Sequence, residues 1–180
     1  MKEEVIISGF GGQGIISAGL MLAEAAVLEG LQATFFPSYG AEMRGGTANC
    51  HVIISDKKIA SPIVAMADTL IALNEPSIEK FLPMVKENGY VIVNSSVVKK
   101  DFDFGKRRVI KAEFEDIAFE KLGNSKMANV ITLGLYIKAK NLSLKIDEIK
   151  EAIKLKFGKK GEKIVNLNFQ ALELGVNLAG

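Results

Sequence analysis

A short apolar run at residues 5–7 is followed closely by the glycine-rich sequence GFGGQG at residues 9–14. Because the run is β-branched and ends in glycines, it predicts a buried strand that leads into a tight turn. Apolar residues then recur with helical spacing over residues 15–29, and Gly30 stands where a left-handed helix cap is expected. A strand, a glycine turn and a helix in this order begin a βαβ unit, which constrains the chain to an α/β fold.

The same patterns predict the remaining elements. Residues 33–36 are predicted to be the second strand of the βαβ unit, beside the first. Further strands are predicted at residues 69–73, 90–94 and 108–112, and helices at residues 76–86, 114–122, 128–140, 146–157 and 166–178. Pro76 falls in the first turn of its helix, and Gly89 lies just past the expected end.

An antiparallel insertion is expected in this otherwise mostly parallel sheet. Asp56 and Lys57 separate two apolar runs, at residues 50–55 and 58–60, and such a pair is typical of a hairpin turn. Strands that alternate with helices predict one Rossmann-like α/β domain over residues 1–180, with helices on both faces of the sheet. A length of 180 residues is typical of a single domain.

Composition excludes several classes of function. The net charge of +2 is nearly balanced, and no basic stripe with interleaved aromatic residues points to nucleic acid. No apolar stretch is long enough to cross a bilayer, and Lys2, Glu3 and Glu4 do not resemble a secretory signal. We therefore expect an intracellular, cytoplasmic protein without a membrane partner.

Cysteine and histidine each occur once, at the adjacent positions Cys50 and His51. Four thiolates normally hold an iron–sulfur cluster, and structural zinc needs four such ligands, so this chain alone can hold neither. Adjacent residues of a strand point to opposite faces. We therefore expect a buried thiol beside a half-exposed imidazole rather than a catalytic pair.

The spacing of Gly9, Gly11 and Gly14 is that of loops that bind the pyrophosphate of NAD or FAD. In those loops the first glycine permits the turn, the second lets the backbone approach the ligand, and the third lets the helix pack on the strand. The acidic residue that should end the second strand is missing, because residues 35–39 read FFPSY. Dinucleotide binding is therefore disfavoured, and a tight structural turn or an anion site at the helix start remains open.

A second unusual loop, YGAEMRGGT at residues 39–47, follows the second predicted strand. Open α/β sheets place their ligand crevice at the carboxyl ends of strands, so this loop is predicted to lie beside the glycine loop. Arg44, followed by Gly45 and Gly46, suits a carboxylate or a phosphate. Alternatively, Arg44 pins its own loop by pairing with Glu42 or Asp68.

Together the two loops resemble those of the gamma subunit, or gamma domain, of 2-oxoacid:ferredoxin oxidoreductases. That family has a Gly-x-Gly-Gly-Gln-Gly loop and a Tyr-Gly-x-Glu-x-Arg-Gly-Gly-Ser/Thr loop, matched here by residues 9–14 and 39–47. Its later asparagine, which precedes a Leu-Gly pair, is matched by Asn129 before Leu133 and Gly134. The likeness extends over nearly the whole chain.

The resemblance implies a Rossmann-like subunit of an enzyme that oxidatively decarboxylates a 2-oxoacid, forms an acyl-coenzyme A and reduces ferredoxin. The 2-oxoglutarate type fits best, with the branched-chain type close behind. Thiamine diphosphate, magnesium, iron–sulfur clusters and coenzyme A are then expected on or with the alpha, thiamine-binding beta and ferredoxin-like delta subunits. The chain alone is expected to be catalytically silent.

The resemblance also names a candidate site, in which either coenzyme A or a partner chain is bound. Its residues are Gly9, Gly11, Gly12, Gln13, Gly14, Tyr39, Arg44, Gly45, Gly46, Thr47 and Asn129. A free-standing Rossmann-type nucleotide enzyme and a binding module for an anion are the competing functions.

Overall fold

The computed structural model describes residues 1–40 and 46–180. The strands are β1 (Lys2–Phe10), β2 (Gln32–Tyr39), β3 (Thr47–Ser55), β4 (Ala67–Ala72), β5 (Val85–Asn94) and β6 (Arg108–Ala112). The α-helices are α1 (Ile15–Leu28), α2 (Glu75–Phe81), α3 (Phe114–Leu122), α4 (Ala128–Ala139), α5 (Ile146–Phe157) and α6 (Glu162–Leu178). Among these helices none is long and apolar enough to cross a membrane.

The strands form one mixed sheet in the order β2-β3-β1-β4-β5-β6. β1, β4, β5 and β6 are parallel, whereas β3 runs antiparallel to both of its neighbours, β1 and β2. Helices α1, α3, α4, α5 and α6 contribute to the core on one face, and α2 contributes to the core on the other. The predicted α/β class, with a mostly parallel sheet and helices on both faces, is confirmed. We call the edge where the parallel strands end the carboxyl edge.

The predicted pairing of the first two strands is wrong, because β3 lies between β1 and β2. Val52 of β3 is paired with Val5 on one side and with Phe35 on the other. The apolar run at residues 5–7 correctly indicated a buried strand, and in the structure that strand is buried on both faces. It could not indicate which strand would lie beside it.

The hairpin predicted around Asp56 and Lys57 is also wrong. Residues 50–55 belong to β3, but residues 58–60 form no strand. Both edges of β3 are already hydrogen bonded, to β1 and to β2, so a returning strand would find no free partner. The antiparallel insertion therefore exists, but it consists of β3 itself.

The helix predicted at residues 76–86 is shorter than expected. α2 ends at Phe81 and continues as a short 3-10 turn over Leu82–Met84, where Pro83 cannot donate to an α-helical hydrogen bond. Gly89, expected just past the end of this helix, instead lies inside β5. There a Cβ would come within 2.9 Å of the Asp68 carbonyl oxygen, so the adjacent strand requires a glycine.

Helices α4 and α6 pack closely, backbone against backbone. A Cβ added to Gly175 would overlap the carbonyl oxygen of Ile131, and one added to Gly134 would overlap that of Leu172. The two glycines thus form a reciprocal contact, each opposite the backbone of the other helix. α4 is in consequence almost wholly buried, with Tyr136 among its fully buried side chains.

The Cys50 side chain is fully buried beneath α1, where its Sγ contacts the carbonyl oxygen of Ile15 at 3.6 Å. Burial raises the pKa of this thiol to about 12. A thiol that stays protonated at neutral pH is a poor nucleophile and a poor metal ligand, because both roles need the thiolate. The expected buried thiol is confirmed.

His51 lies on the opposite face of the sheet, half-buried between the rings of Phe36 and Phe81 at 6.5 Å from each. Its Nδ1 accepts a hydrogen bond from the amide of Val64 at 3.0 Å, which ties the segment after β3 to the sheet. Burial, together with the charge of Lys80, lowers the pKa of the imidazole. His51 is thus a neutral structural acceptor between the exposed ring of Phe36 and the buried ring of Phe81.

Candidate functional site

The glycine loop crosses the carboxyl edge between β1 and α1. Gly12 and Gly14 have φ angles of 100° and 75°, in the left-handed region that side chains disfavour. α1 begins at Ile15, so the first amides of the helix have no partner within the helix. The sequence thus builds a tight turn that directs backbone donors to the end of β1.

Gln13 organises this loop through three hydrogen bonds. Its Oε1 accepts from the amide of Phe10 at 2.7 Å, which closes the turn on itself. Its Nε2 donates to the carbonyl oxygen of Leu73 at 3.1 Å and to Oε1 of Glu115 at 2.8 Å. The side chain therefore joins the end of β1 to the end of β4 and to the start of α3.

Glu115 extends the network to β5. The same Oε1 accepts from Nδ2 of Asn94 at 3.2 Å, and the Glu115 amide donates to Oγ of Ser96 at 3.2 Å. Asn94 is fully buried at the last position of β5. The sequence reasoning missed Glu115 and Asn94, although each follows or ends a parallel strand and so reaches the edge where ligands bind in such sheets.

Asn129, at the start of α4, is the candidate residue furthest along the chain. Its Nδ2 donates to the Gly14 carbonyl oxygen at 3.1 Å. A Cβ on Gly14 would overlap this side-chain amide. Gly14 therefore leaves room for the side chain of Asn129 from α4. The structure brings Asn129 to the glycine loop, as the shared motif suggested.

The two predicted loops meet although β1 and β2 are not neighbours. The amide of Gly11 donates to the Gly46 carbonyl oxygen at 2.9 Å, and Phe10 is paired with Thr47 across β1 and β3. The start of β3 thus brings the second loop back to the glycine loop. Tyr39 lies at the end of β2 with 70% of its surface exposed.

Arg44 and Gly45 lie outside the described residues, so their contacts with the glycine loop stay predictions. One alternative for Arg44 loses support, because Asp68 lies at the opposite edge of the sheet, near the start of β4. There its carboxylate pairs with Nζ of Lys86 at 2.6 Å and accepts from the amide of Glu4 at 3.0 Å.

A cavity of about 140 Å³ opens beside the glycine loop. It is lined by Gly12, Gln13, Leu73, Glu115, Ser125, Lys126 and Ala128. The lining offers a carboxylate, an ammonium group, a hydroxyl and an amide, which suits polar recognition. Among residues 1–40 and 46–180, no three His, Cys, Asp or Glu side chains are grouped to hold a metal ion.

Residues 4–178 match the family model described as pyruvate ferredoxin/flavodoxin oxidoreductase. Over 178 residues the chain is 39% identical to the ketoisovalerate oxidoreductase subunit VorA of Methanothermobacter thermautotrophicus. This match covers 99% of this chain and 36% of the VorA protein. Over 144 residues it is 37% identical to the 2-oxoglutarate synthase subunit KorC of Methanocaldococcus jannaschii, with 79% and 77% of the two chains covered.

Among solved structures, the fold matches the gamma subunit of a keto/oxoacid ferredoxin oxidoreductase from Geobacter sulfurreducens. The TM-score is 0.82 with 32% identity, and the match covers 98% of each chain. The chain thus spans little more than a third of the VorA protein but nearly all of the Geobacter subunit.

Proposed function

The chain belongs to the pyruvate ferredoxin/flavodoxin oxidoreductase family, and we propose that it is the gamma subunit of a 2-oxoacid:ferredoxin oxidoreductase. The observation that carries this proposal is the match to a solved gamma subunit over 98% of both chains. We propose 2-oxoglutarate as the substrate, and a branched-chain 2-oxoacid such as ketoisovalerate as the alternative. Relatives named for both substrates share more than a third of their residues with this chain over the matched region.

The redox and decarboxylation cofactors belong to other chains in this proposal. The single cysteine is buried with its pKa raised to about 12, so the donor set does not fit an iron–sulfur cluster. Thiamine diphosphate with its magnesium is assigned to a beta chain, the clusters to a ferredoxin-like delta chain, and an alpha chain completes the enzyme. The whole of residues 1–180 then acts as one gamma-type domain in the cytoplasm.

In the assembled enzyme this chain contributes the crevice at the carboxyl edge. The glycine loop offers backbone donors, and we propose that Arg44, from the loop that ends at Thr47, lies beside it. We propose that together they hold an anion, either a coenzyme A phosphate or a carboxylate of a partner chain. The site comprises Gly9, Gly11, Gly12, Gln13, Gly14, Tyr39, Arg44, Gly45, Gly46, Thr47 and Asn129.

The alternative of a free-standing dinucleotide enzyme is disfavoured by the topology. Such enzymes hold the ribose through an acid at the end of the strand beside β1. Here that position is occupied by the start of β3, and the described end of β2 carries no acid.

The pure chain is expected to turn over no 2-oxoacid, with or without thiamine diphosphate. The complex rebuilt from this chain and its alpha, beta and delta partners is expected to reduce ferredoxin with 2-oxoglutarate and coenzyme A. Reduction of a dye or of ferredoxin measures the activity of the pure chain and of the rebuilt complex. Each is assayed with 2-oxoglutarate and with ketoisovalerate in parallel. Turnover by the single chain, or a rebuilt complex that works equally well without it, would contradict the proposed role.

Arg44→Lys is expected to weaken assembly or coenzyme A binding while the isolated chain keeps its melting temperature. Lysine keeps the charge but loses the rigid fork of donors that pairs with a carboxylate or phosphate. Losing a hydrogen bond to a charged group costs about 1.5–3 kcal/mol. Melting curves of the variant chain, measured together with turnover of the complex that contains it, test this prediction. A less stable chain in a fully active complex would mean that Arg44 only pins its own loop, for example to Glu42.

A further inference from the structure

The outer side of β2 is an open sheet edge, with no described strand paired to it. The amide of Gly40 donates to Thr47 at 2.8 Å, and backbone groups of an antiparallel strand alternate in direction. Even-numbered residues from 32 to 40 therefore point their amides and carbonyls at β3. Ala33, Phe35 and Tyr39 point theirs outward, and Pro37, which has no amide, points its carbonyl outward.

An apolar groove of about 280 Å³ runs beside this edge, between β2, α1 and α5. Phe35 lines it from the strand, Val27 and Leu28 from α1, and Leu155 from α5. Val27 and Leu155 are 58% and 67% exposed, which is high for apolar side chains gathered at one place. An open strand edge next to exposed apolar surface favours the addition of another strand.

We propose that the occupant is a second copy of this chain, whose β2 pairs antiparallel with the first across a two-fold axis at Thr34. In this register Ala33 of one copy lies opposite Phe35 of the other. Both residues point their backbone groups outward, so each such pair exchanges two hydrogen bonds. The sheet then continues from one copy into the next. The proposal does not depend on the enzymatic role of the chain.

The position of Pro37 is the argument for self-pairing. Pro37 has no amide, so a partner strand loses one hydrogen bond there. In the two-fold register Pro37 lies opposite Leu31, whose own amide is already donated to the Ala26 carbonyl oxygen at 2.9 Å. The missing donor and the engaged donor coincide, so between Leu31 and Pro37 no free amide lies opposite the proline. A strand of unrelated sequence has no reason to carry an engaged amide at that place.

The two-fold axis also brings the grooves together. An axis perpendicular to the sheet keeps the helix-bearing faces of both copies on the same side, as an isologous dimer requires. Val27, Leu28 and Leu155 of each copy then flank the continuous sheet beside their counterparts. Burial of this apolar surface adds to the area that the paired strands bury. A specific interface buries about 1,000 Å² or more.

Sedimentation of the 180-residue chain over a range of concentrations tests this dimer. We expect a reversible dimer, and Leu155→Asp is expected to raise its dissociation constant about 100-fold, because each dimer contains the substitution twice in an apolar contact. Phe119→Asp is the matched control. Its ring is 66% exposed on α3, away from the groove, so the dissociation constant should not change.

A second variant tests the strand edge directly. Ala33→Pro removes an outward amide, as Pro37 already does, and leaves the ladder between β2 and β3 intact. It is expected to raise the dissociation constant about 10-fold, with melting curves showing that the variant chain is folded. A monomer at all concentrations overturns the proposal, and so does a dimer that neither variant weakens. A monomer whose Leu155→Asp variant fails to assemble with partner subunits would also overturn it, and would assign the groove to a partner.

Discussion

Gly175→Ala is expected to lower the free energy of unfolding by about 3 kcal/mol and the melting temperature by roughly 6–12 °C. The new methyl group would overlap the carbonyl oxygen of Ile131 in α4, and a backbone atom cannot rotate away as a side chain can. Alanine favours a helix over glycine by only about 1 kcal/mol, which does not offset forcing α4 and α6 apart. Thermal or urea unfolding of the chain measures the loss.

Gly158→Ala is the matched control for this prediction. Gly158 has a φ of −54°, and a Cβ there meets no atom within 4 Å. Alanine should be neutral or stabilise the chain by about 0.4–1 kcal/mol, because it restricts the unfolded state. Equal effects of the two substitutions would mean that the contact between α4 and α6 is looser than described.

Glu115→Ala is expected to reduce turnover of the assembled complex about 100-fold, an effect that rests on the proposed function. Without the carboxylate, Gln13 loses one of its anchors and the buried amide of Asn94 loses its acceptor. A shift of about 1 Å in a positioning element can cost this much in rate. Steady-state assays over a range of coenzyme A concentrations would separate a higher KM from a lower kcat.

Two further variants separate positioning from simple loss of charge. Glu115→Gln keeps an oxygen that accepts from Gln13 and Asn94, and should retain most of the activity. Asp116→Ala removes an exposed carboxylate from the same first turn of α3, and should leave the activity unchanged. If Asp116→Ala were as damaging as Glu115→Ala, the charge at the helix start would matter and the contact with Gln13 would not.

Local sequence patterns predicted an element correctly where its own residues determine where it begins and ends. β6 and helices α3 and α5 begin and end where the sequence predicts, because their apolar spacing is regular. Gly123, in the left-handed conformation, stops α3. The helix cap at Gly30 is likewise confirmed by a φ of 85°. These features need no knowledge of the rest of the chain.

Features that depend on distant partners could not be predicted in this way. The apolar run in β1 is compatible with any neighbour, so its pairing with β3 rather than β2 left no local sign. Gln13 was recognised as part of a motif, but its partner Glu115 lies 102 positions further along the chain. The motif thus located the site, whereas the network that holds the loop in place could be seen only in three dimensions.

The insertion of β3 between β1 and β2 has a consequence for the order in which the molecule folds. The first two strands do not touch, so the amino-terminal strand, helix and strand cannot form a two-stranded unit by themselves. Val5 is paired with Val52 and with Thr69, which lie 47 and 64 positions further along the chain. The hairpin of β2 and β3 closes a much shorter loop, and loop closure costs less entropy when the loop is short. We therefore expect β1, although it precedes β2 and β3 in the chain, to find its partners after that hairpin has formed, and its pairing then joins the two halves of the sheet.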